Sequence, residues 1–273
     1  MKKIEKTSDL NRIIKKVGAN ASVALAHQEF RKFYLVAVDN LDEIVSEEGD
    51  ADESLHLKIE QFMQPIISTS DFFYIMGLHG SNKRGFTQYL LTHLLSDREC
   101  YRYAWTALRD SISRYGFHPN KREFYKLLRI DFEQVNLRYA QSFLEYGNTV
   151  LINDCGHTIR ERARLINYIP ILQQKICTGF VLIRDYERMI RNNEEHRSYL
   201  EATRTFQDYY NETDMNIPLF QEGFSHIVVI NDTSPSSINY ISNEQIKEMV
   251  ENEYKGFYLE VEEIDLRRKS NVE

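Results

Sequence analysis

The chain has 273 residues, 42% of them hydrophobic and 12% aromatic, enough for a sizeable core in one large or two small domains. With only 5 prolines and 11 glycines it is neither a fibrous nor a disordered chain, and its net charge of −7 gives no global basic footprint. A nucleic-acid partner therefore needs a local basic groove.

Three cysteines, Cys100, Cys155 and Cys177, are odd in number and far apart, with no C-x-x-C or Cys/His metal spacing. A reduced, cytoplasmic compartment is expected. No signal peptide and no 18-residue apolar run is visible, so neither secretion nor a membrane span is indicated.

Residues 1 to about 68 read as a mostly helical N-terminal extension. Leu10, Ile13 and Ile14 suit a short amphipathic helix. Ser22 to Val38 fits helix or strand. Asp39 to Glu53 is dense in carboxylates and reads as a solvated loop or exposed helix face, its spacing fitting no Ca²⁺ loop. Leu55 to Ile67 has a helical period up to Pro65.

Phe72 to Leu95 organises the chain. Phe72-Phe73-Tyr74-Ile75-Met76 is a short aromatic and aliphatic run broken by Gly77, as in a buried strand. Glycines follow at 80 and 85, and then Phe86, Leu90, Leu91, Leu94 and Leu95 recur at helical spacing. Strand, glycine-rich loop and helix are the setting a phosphate-binding loop needs, because the glycines let backbone N–H groups approach a phosphate.

Two registers compete for G-x-x-x-x-G-K-[ST]. The first, Gly77 to Arg84, keeps the glycine and Lys83 but has Asn82 for the second glycine and Arg84 for the Mg²⁺-binding hydroxyl residue. Asn tolerates a left-handed backbone, whereas a guanidinium ligates no metal. The second, Gly80 to Thr87, puts Phe86 where the lysine belongs. The first is preferred, since it keeps the cation and leaves Phe86 to the core. An ordinary strand–turn–helix connection is the alternative.

Cys100 to Leu108 alternates as a second strand and ends at Arg109-Asp110. Asp110 either sits at the carboxyl end of that strand, where ligands gather, or caps the next helix. Glu123 to Tyr146 is a long helix stopped by Gly147. Thr149 to Asp154 is a third strand. Thr158 to Ile169 is a helix whose exposed face is expected to carry Arg160, Arg162 and Arg164. Lys175 to Arg184 is a fourth strand and His226 to Asn231 a fifth. Between them the chain is charged and helical, with Arg184, Arg188, Arg191, Arg197 and Arg204. These suit either a solvated helix or a lid whose arginines close over transferring phosphates. Asn243 to Tyr254 is a last helix. Alternating strands and helices predict an α/β, three-layer fold: a mostly parallel five-stranded sheet flanked by helices over 69–235, with a lid at about 185–215 and a C-terminal helix and tail over 236–273.

The order of these pieces resembles the kinase domain of the polynucleotide 5′-hydroxyl kinase family, a branch of the P-loop kinases, over about Phe72 to Ile230. The loop at Gly77 to Lys83 is similar to GxxGxGK[ST]. Leu108-Arg109-Asp110 resembles the family's short R-D. Gly147 to Asp154 with Arg162 and Arg164 resembles G…V-I-x-D-T-N…R. Arg191-Asn192-Asn193 with Arg197 resembles the lid, and Pro218…Gln221-Glu222-Gly223-Phe224-Ser225 resembles P…EGF.

The resemblance implies ATP and Mg²⁺ as cofactors and a nucleic-acid 5′ end, DNA or RNA, as acceptor. Gly77, Gly80, Ser81, Asn82, Lys83 and Arg84 would form the nucleotide loop, with Lys83 on the β- and γ-phosphates. Asp110 would be the general base, and Arg191 or Arg197 would stabilise charge on the transferring group. Arg114, Asp154 and Arg162 would contact the acceptor, although Ser113 stands where the family places its acceptor arginine. With Arg84 in the loop, Mg²⁺ needs another ligand: Ser81, Thr87 or Asp154. The competing readings are a kinase of a hydroxymethylated base or nucleoside, a catalytically degraded P-loop scaffold and, more weakly, a nucleotide hydrolase or switch.

Overall fold

In a computed structural model the chain is described over residues 32–45, 53–78, 80–104, 137–154, 156, 162, 165–166, 169–191, 222–237, 240–254 and 261–267. Strands β1 (Lys32–Ala37), β2 (Phe72–Gly77), β3 (Cys100–Ala104), β4 (Thr149–Asn153), β5 (Cys177–Arg184), β6 (His226–Asp232) and β7 (Val261–Asp265) form one sheet in the order β3-β4-β2-β5-β6-β1-β7. All six pairings are parallel. The five expected strands are present and adjacent. The expectation of five is corrected to seven, because β1 and β7, from the segments read as extension and tail, continue the sheet beyond β6.

Helices cover both faces, as a parallel sheet buried on both sides requires. In β2 the side chains alternate: Phe72, Tyr74 and Met76 join one core, and Phe73 and Ile75 the other. All five are nearly inaccessible to solvent, each worth about 1.5–3 kcal/mol of burial. The first core is closed by Leu137, Ala140 and Leu144, from a helical segment at residues 137–145, and by Ile246 and Val250. The latter two lie on the helix Asn243–Glu253, which Ser242 and Gln245 cap reciprocally. The second core is closed by α1 (Leu41–Val45), α2 (Glu53–Thr69) and α3 (Lys83–Tyr89), the last continuing through a π-helical turn at Leu90–Leu94.

Pro65 does not end its helix. It lies exposed inside α2, which runs one more turn to Thr69. Ser68 and Thr69 hydroxyls donate to the Pro65 carbonyl at 3.0 and 3.2 Å over that turn. None of the described helices is long and apolar enough to cross a membrane.

Candidate phosphate-binding site

Because the strands are parallel, their carboxyl ends lie on one edge of the sheet. The Gly77–Lys83 loop leaves β2 there, between β4 and β5. His79 lies outside the described residues. Gly77 has φ +153°, and a Cβ on it would stand 2.5 Å from Ser81 Oγ and 3.0 Å from the Leu182 carbonyl. A side chain there is excluded by both the conformation and the close approach. The turn closes through the Ser81 N–H, which donates to the Leu78 carbonyl at 3.2 Å.

Asn82, in the place of the motif's second glycine, takes φ 58°, ψ 33°. Among the described residues it alone is a non-glycine with positive φ, a conformation that costs L-residues about 1–2 kcal/mol and that Asn tolerates best. Its Oδ1 accepts from the Gly85 N–H at 3.2 Å, so Asn82 is the N-cap of α3. Lys83 opens that helix, and its Nζ donates to the Gly77 and Leu78 carbonyls at 2.7 Å each. Phe86 is buried edge-on against Phe180, with ring centroids 5.2 Å apart, and so belongs to the core.

Two hydroxyls lie within this loop–helix junction. Thr87 Oγ1 donates to the Lys83 carbonyl at 2.6 Å and accepts from Asn153 Nδ2 at 2.9 Å. Ser81 Oγ is fully buried and has no hydrogen-bond partner among the described residues. Asp154 follows β4 directly, half-buried, and its N–H donates to the Ile75 carbonyl at 3.2 Å, which sets it beside the end of β2. Arg84 is exposed on the first turn of α3. Arg102 on β3 has its pKa lowered, first by burial and then by the charge of Arg84. Among the described residues no cluster of three His, Cys, Asp or Glu side chains is placed to hold a metal.

Of the eight arginines expected at the surface or over the phosphates, Arg162, Arg184, Arg188 and Arg191 lie among the described residues. Arg162 is instead entirely buried, which corrects the reading of an exposed arginine face. Its Nε and Nη2 donate to Glu222 Oε2 and Oε1 at 2.7 and 2.9 Å, and its Nη1 donates to the Gly156 carbonyl at 2.8 Å. Arg184 is also buried. Its Nε donates to Asp232 Oδ2 at 2.9 Å, and Nη1 and Nη2 donate to Asp42 Oδ1 and Oδ2 at 3.0 and 2.6 Å. Arg188 donates to Asp232 Oδ1 and to the Asp39 carbonyl. Burial pushes the Asp232 carboxyl up to about 6, against the opposing pull of Arg184 and Arg188. Arg191 ends α4 (Tyr186–Arg191), exposed, with Nε 3.4 Å from the Glu187 carbonyl.

The structure thus brings Gly77, Gly80, Ser81, Asn82, Lys83 and Asp154 to one edge of the sheet and removes Arg162 to the interior. Asp110, Arg114 and Arg197 lie outside the described residues, as do Arg160, Arg164 and Arg204. Sequence reasoning missed Asn153, which passed as the end of a strand, and Asp42, which lies in the acidic run read as solvated. Its partner Arg184 is 142 residues away, so no local pattern marks the pair.

No protein-family model matches the chain, and the search of curated proteins gave no match. Among solved structures, shikimate kinase from Acinetobacter baumannii in complex with shikimate is similar at 16% identity and a TM-score of 0.37, over 69% of this chain and 96% of that one. A likeness of that size supports no inference about activity.

Proposed function

We propose that the chain is a P-loop kinase-like phosphotransferase that carries the γ-phosphate of ATP to a nucleic-acid 5′-hydroxyl. The observation that supports this best is the loop itself. A glycine that must be glycine ends a central parallel strand, a left-handed cap follows, and the next residue is a lysine whose ammonium folds over the loop. A phosphate loop uses these parts in this order.

The oxygen donors suit Mg²⁺, which keeps most of its waters and takes one or two protein oxygens beside the phosphates. Ser81 Oγ, buried with no hydrogen-bond partner among the described residues, and the Asp154 carboxylate are the residues that would hold it. When bound, the ion offsets charge on the β- and γ-oxygens. Lys83 contacts the same phosphates. Asp110 takes the proton of the acceptor hydroxyl as that oxygen attacks the γ-phosphorus, and Arg191 or Arg197 opposes charge on the transferring group. The acceptor class rests on the ordered resemblance of short segments, with Arg114 as an acceptor contact and Asp154 an acceptor contact only if Ser81 alone holds the ion. Arg162 has no part in the proposal, since Glu222 and Gly156 hold its guanidinium.

A second reading, a P-loop protein that binds without catalysing, is favoured by one observation: Arg84 is exposed where a metal-binding hydroxyl would stand. Incubation with γ-labelled ATP and Mg²⁺ separates the readings, using 5′-hydroxyl DNA, 5′-hydroxyl RNA, hydroxymethylated DNA and nucleosides as acceptors. Label at a 5′ end that is lost in Asp110→Asn supports the proposal. ATP binding with no labelled acceptor favours the second reading.

A further inference from the structure

The acidic run before α2 supplies one side chain to the loop. Asp42 Oδ1 accepts from Asn82 Nδ2 at 2.6 Å, and both Asp42 oxygens accept from the buried Arg184 guanidinium. Arg184 is anchored in turn on Asp232, whose Oδ2 also accepts from the Leu41 N–H at 3.1 Å and so fixes the start of α1. Asn40 Oδ1 accepts from the Asp42 N–H at 3.2 Å. Asp42 is therefore tied through Arg184 to the carboxyl end of β5 and, by way of Asp232, to that of β6.

Asn82 is held from two sides. Its carbonyl oxygen accepts from Gly85, and its amide donates to a carboxylate, a charge-assisted bond. Gly85 belongs to this arrangement, because a Cβ there would stand 2.6 Å from Asn82 Oδ1. A glycine at position 82 would adopt the left-handed conformation unaided; an asparagine gains from a clasp.

We infer that Asp42 is a positioning residue for the phosphate loop: anchored on Arg184, it holds Asn82 in the left-handed conformation from which Lys83 starts α3. The consequence for nucleotide binding rests on the reading of Gly77–Lys83 as a phosphate loop, while the conformational consequence does not.

Two readouts on the full chain test this in the parent, Asp42→Ala, Asn82→Gly and the double variant. They are amide hydrogen exchange at residues 82–86 and affinity for ATP with Mg²⁺. In Asp42→Ala, exchange at the Gly85 and Phe86 amides, which donate to Asn82 Oδ1 and to its carbonyl, should rise about tenfold, with a similar loss of affinity. In the Asn82→Gly background the same change should move both readouts by less than about twofold. If Asp42→Ala does not fold, Asp42→Asn, which keeps an acceptor for Asn82, should raise exchange by about threefold.

Unchanged exchange in the Asp42 variants overturns the inference. So does an equal effect in the Asn82→Gly background, which would make Asp42 only a partner of Arg184. Faster exchange in a protein that binds no ATP supports the clasp and refutes the nucleotide reading. ATP binding with exchange indifferent to Asp42 does the reverse.

Discussion

Asn153 Nδ2 donates to Thr87 Oγ1 at 2.9 Å, tying the end of β4 to the first turns of α3. The same hydroxyl donates to the carbonyl of Lys83, so one side chain links the strand end to the residue that carries the candidate cation. Thr87→Val keeps the shape and removes both bonds, leaving the Asn153 amide without its acceptor. A loss of about 1–3 kcal/mol is expected in urea unfolding, with Thr87→Ser recovering most of it. Equal stability of the Val and Ser variants would contradict the link.

Glu222 and Arg162 form a bidentate pair with both side chains fully buried. Glu222→Gln takes the carboxylate charge from a buried guanidinium, and about 3–5 kcal/mol of stability should go with it. Replacing both partners together, as Arg162→Met with Glu222→Leu, should cost less than the single change, because no charge is then left unpaired. A double variant worse than Glu222→Gln would contradict this assignment.

Gly77→Ala forces a Cβ to within 2.5 Å of Ser81 Oγ and 3.0 Å of the Leu182 carbonyl, at a φ that side chains avoid. The loop must shift, at a cost of about 1–3 kcal/mol, and affinity for ATP should fall with it. Unfolding and ATP titration on one preparation check both. Retained affinity would show that the loop's shape does not set nucleotide binding.

His226 begins β6 with neither ring nitrogen hydrogen-bonded to a described residue. Burial, helped by the charge of Lys32, pushes its pKa down to about 4. The unfolded chain takes up this proton near pH 6.5 and the folded chain only near 4. The contribution is thus complete above about 6.5 and is lost as pH falls towards 4, roughly 3 kcal/mol over that window. Stability measured from pH 7 to 4.5 should fall more steeply in the parent than in His226→Phe. Parallel curves would remove His226 as the cause.

The sheet was legible where burial is local. β2, β4, β5 and β6 are apolar runs bounded by turn residues, and each appears where its run predicts it. β1 was ambiguous because Phe33 to Val38 is buried on both faces and shows no period. β7 was silent: Val261–Asp265 is an edge strand with exposed Glu262 and Glu263, and only Val261 and Ile264 pack partly buried on the cores, too few to stand out as an apolar run.

The loop was legible from Gly77, Asn82 and Lys83, which have local conformational reasons to be where they are. Its supports were not. Asp42 with Arg184 and Thr87 with Asn153 are pairs joined across long sequence separations, as is the buried pair of Arg162 with Glu222 away from the loop. An arginine with a buried partner reads, in sequence, like any surface arginine.

The most direct test of the central claim is an equilibrium titration of ATP with Mg²⁺ against the parent and Lys83→Ala, with the fold of each checked by its unfolding midpoint. Lys83 is half-buried on the first turn of α3, outside both hydrophobic cores, so the variant should fold. The expected result is saturable binding by the parent, weakened about 10–100-fold in Lys83→Ala, as loss of a charge-assisted phosphate contact requires. Equal affinity of the two proteins, or no binding by a folded parent, would contradict a phosphate site at Gly77–Lys83.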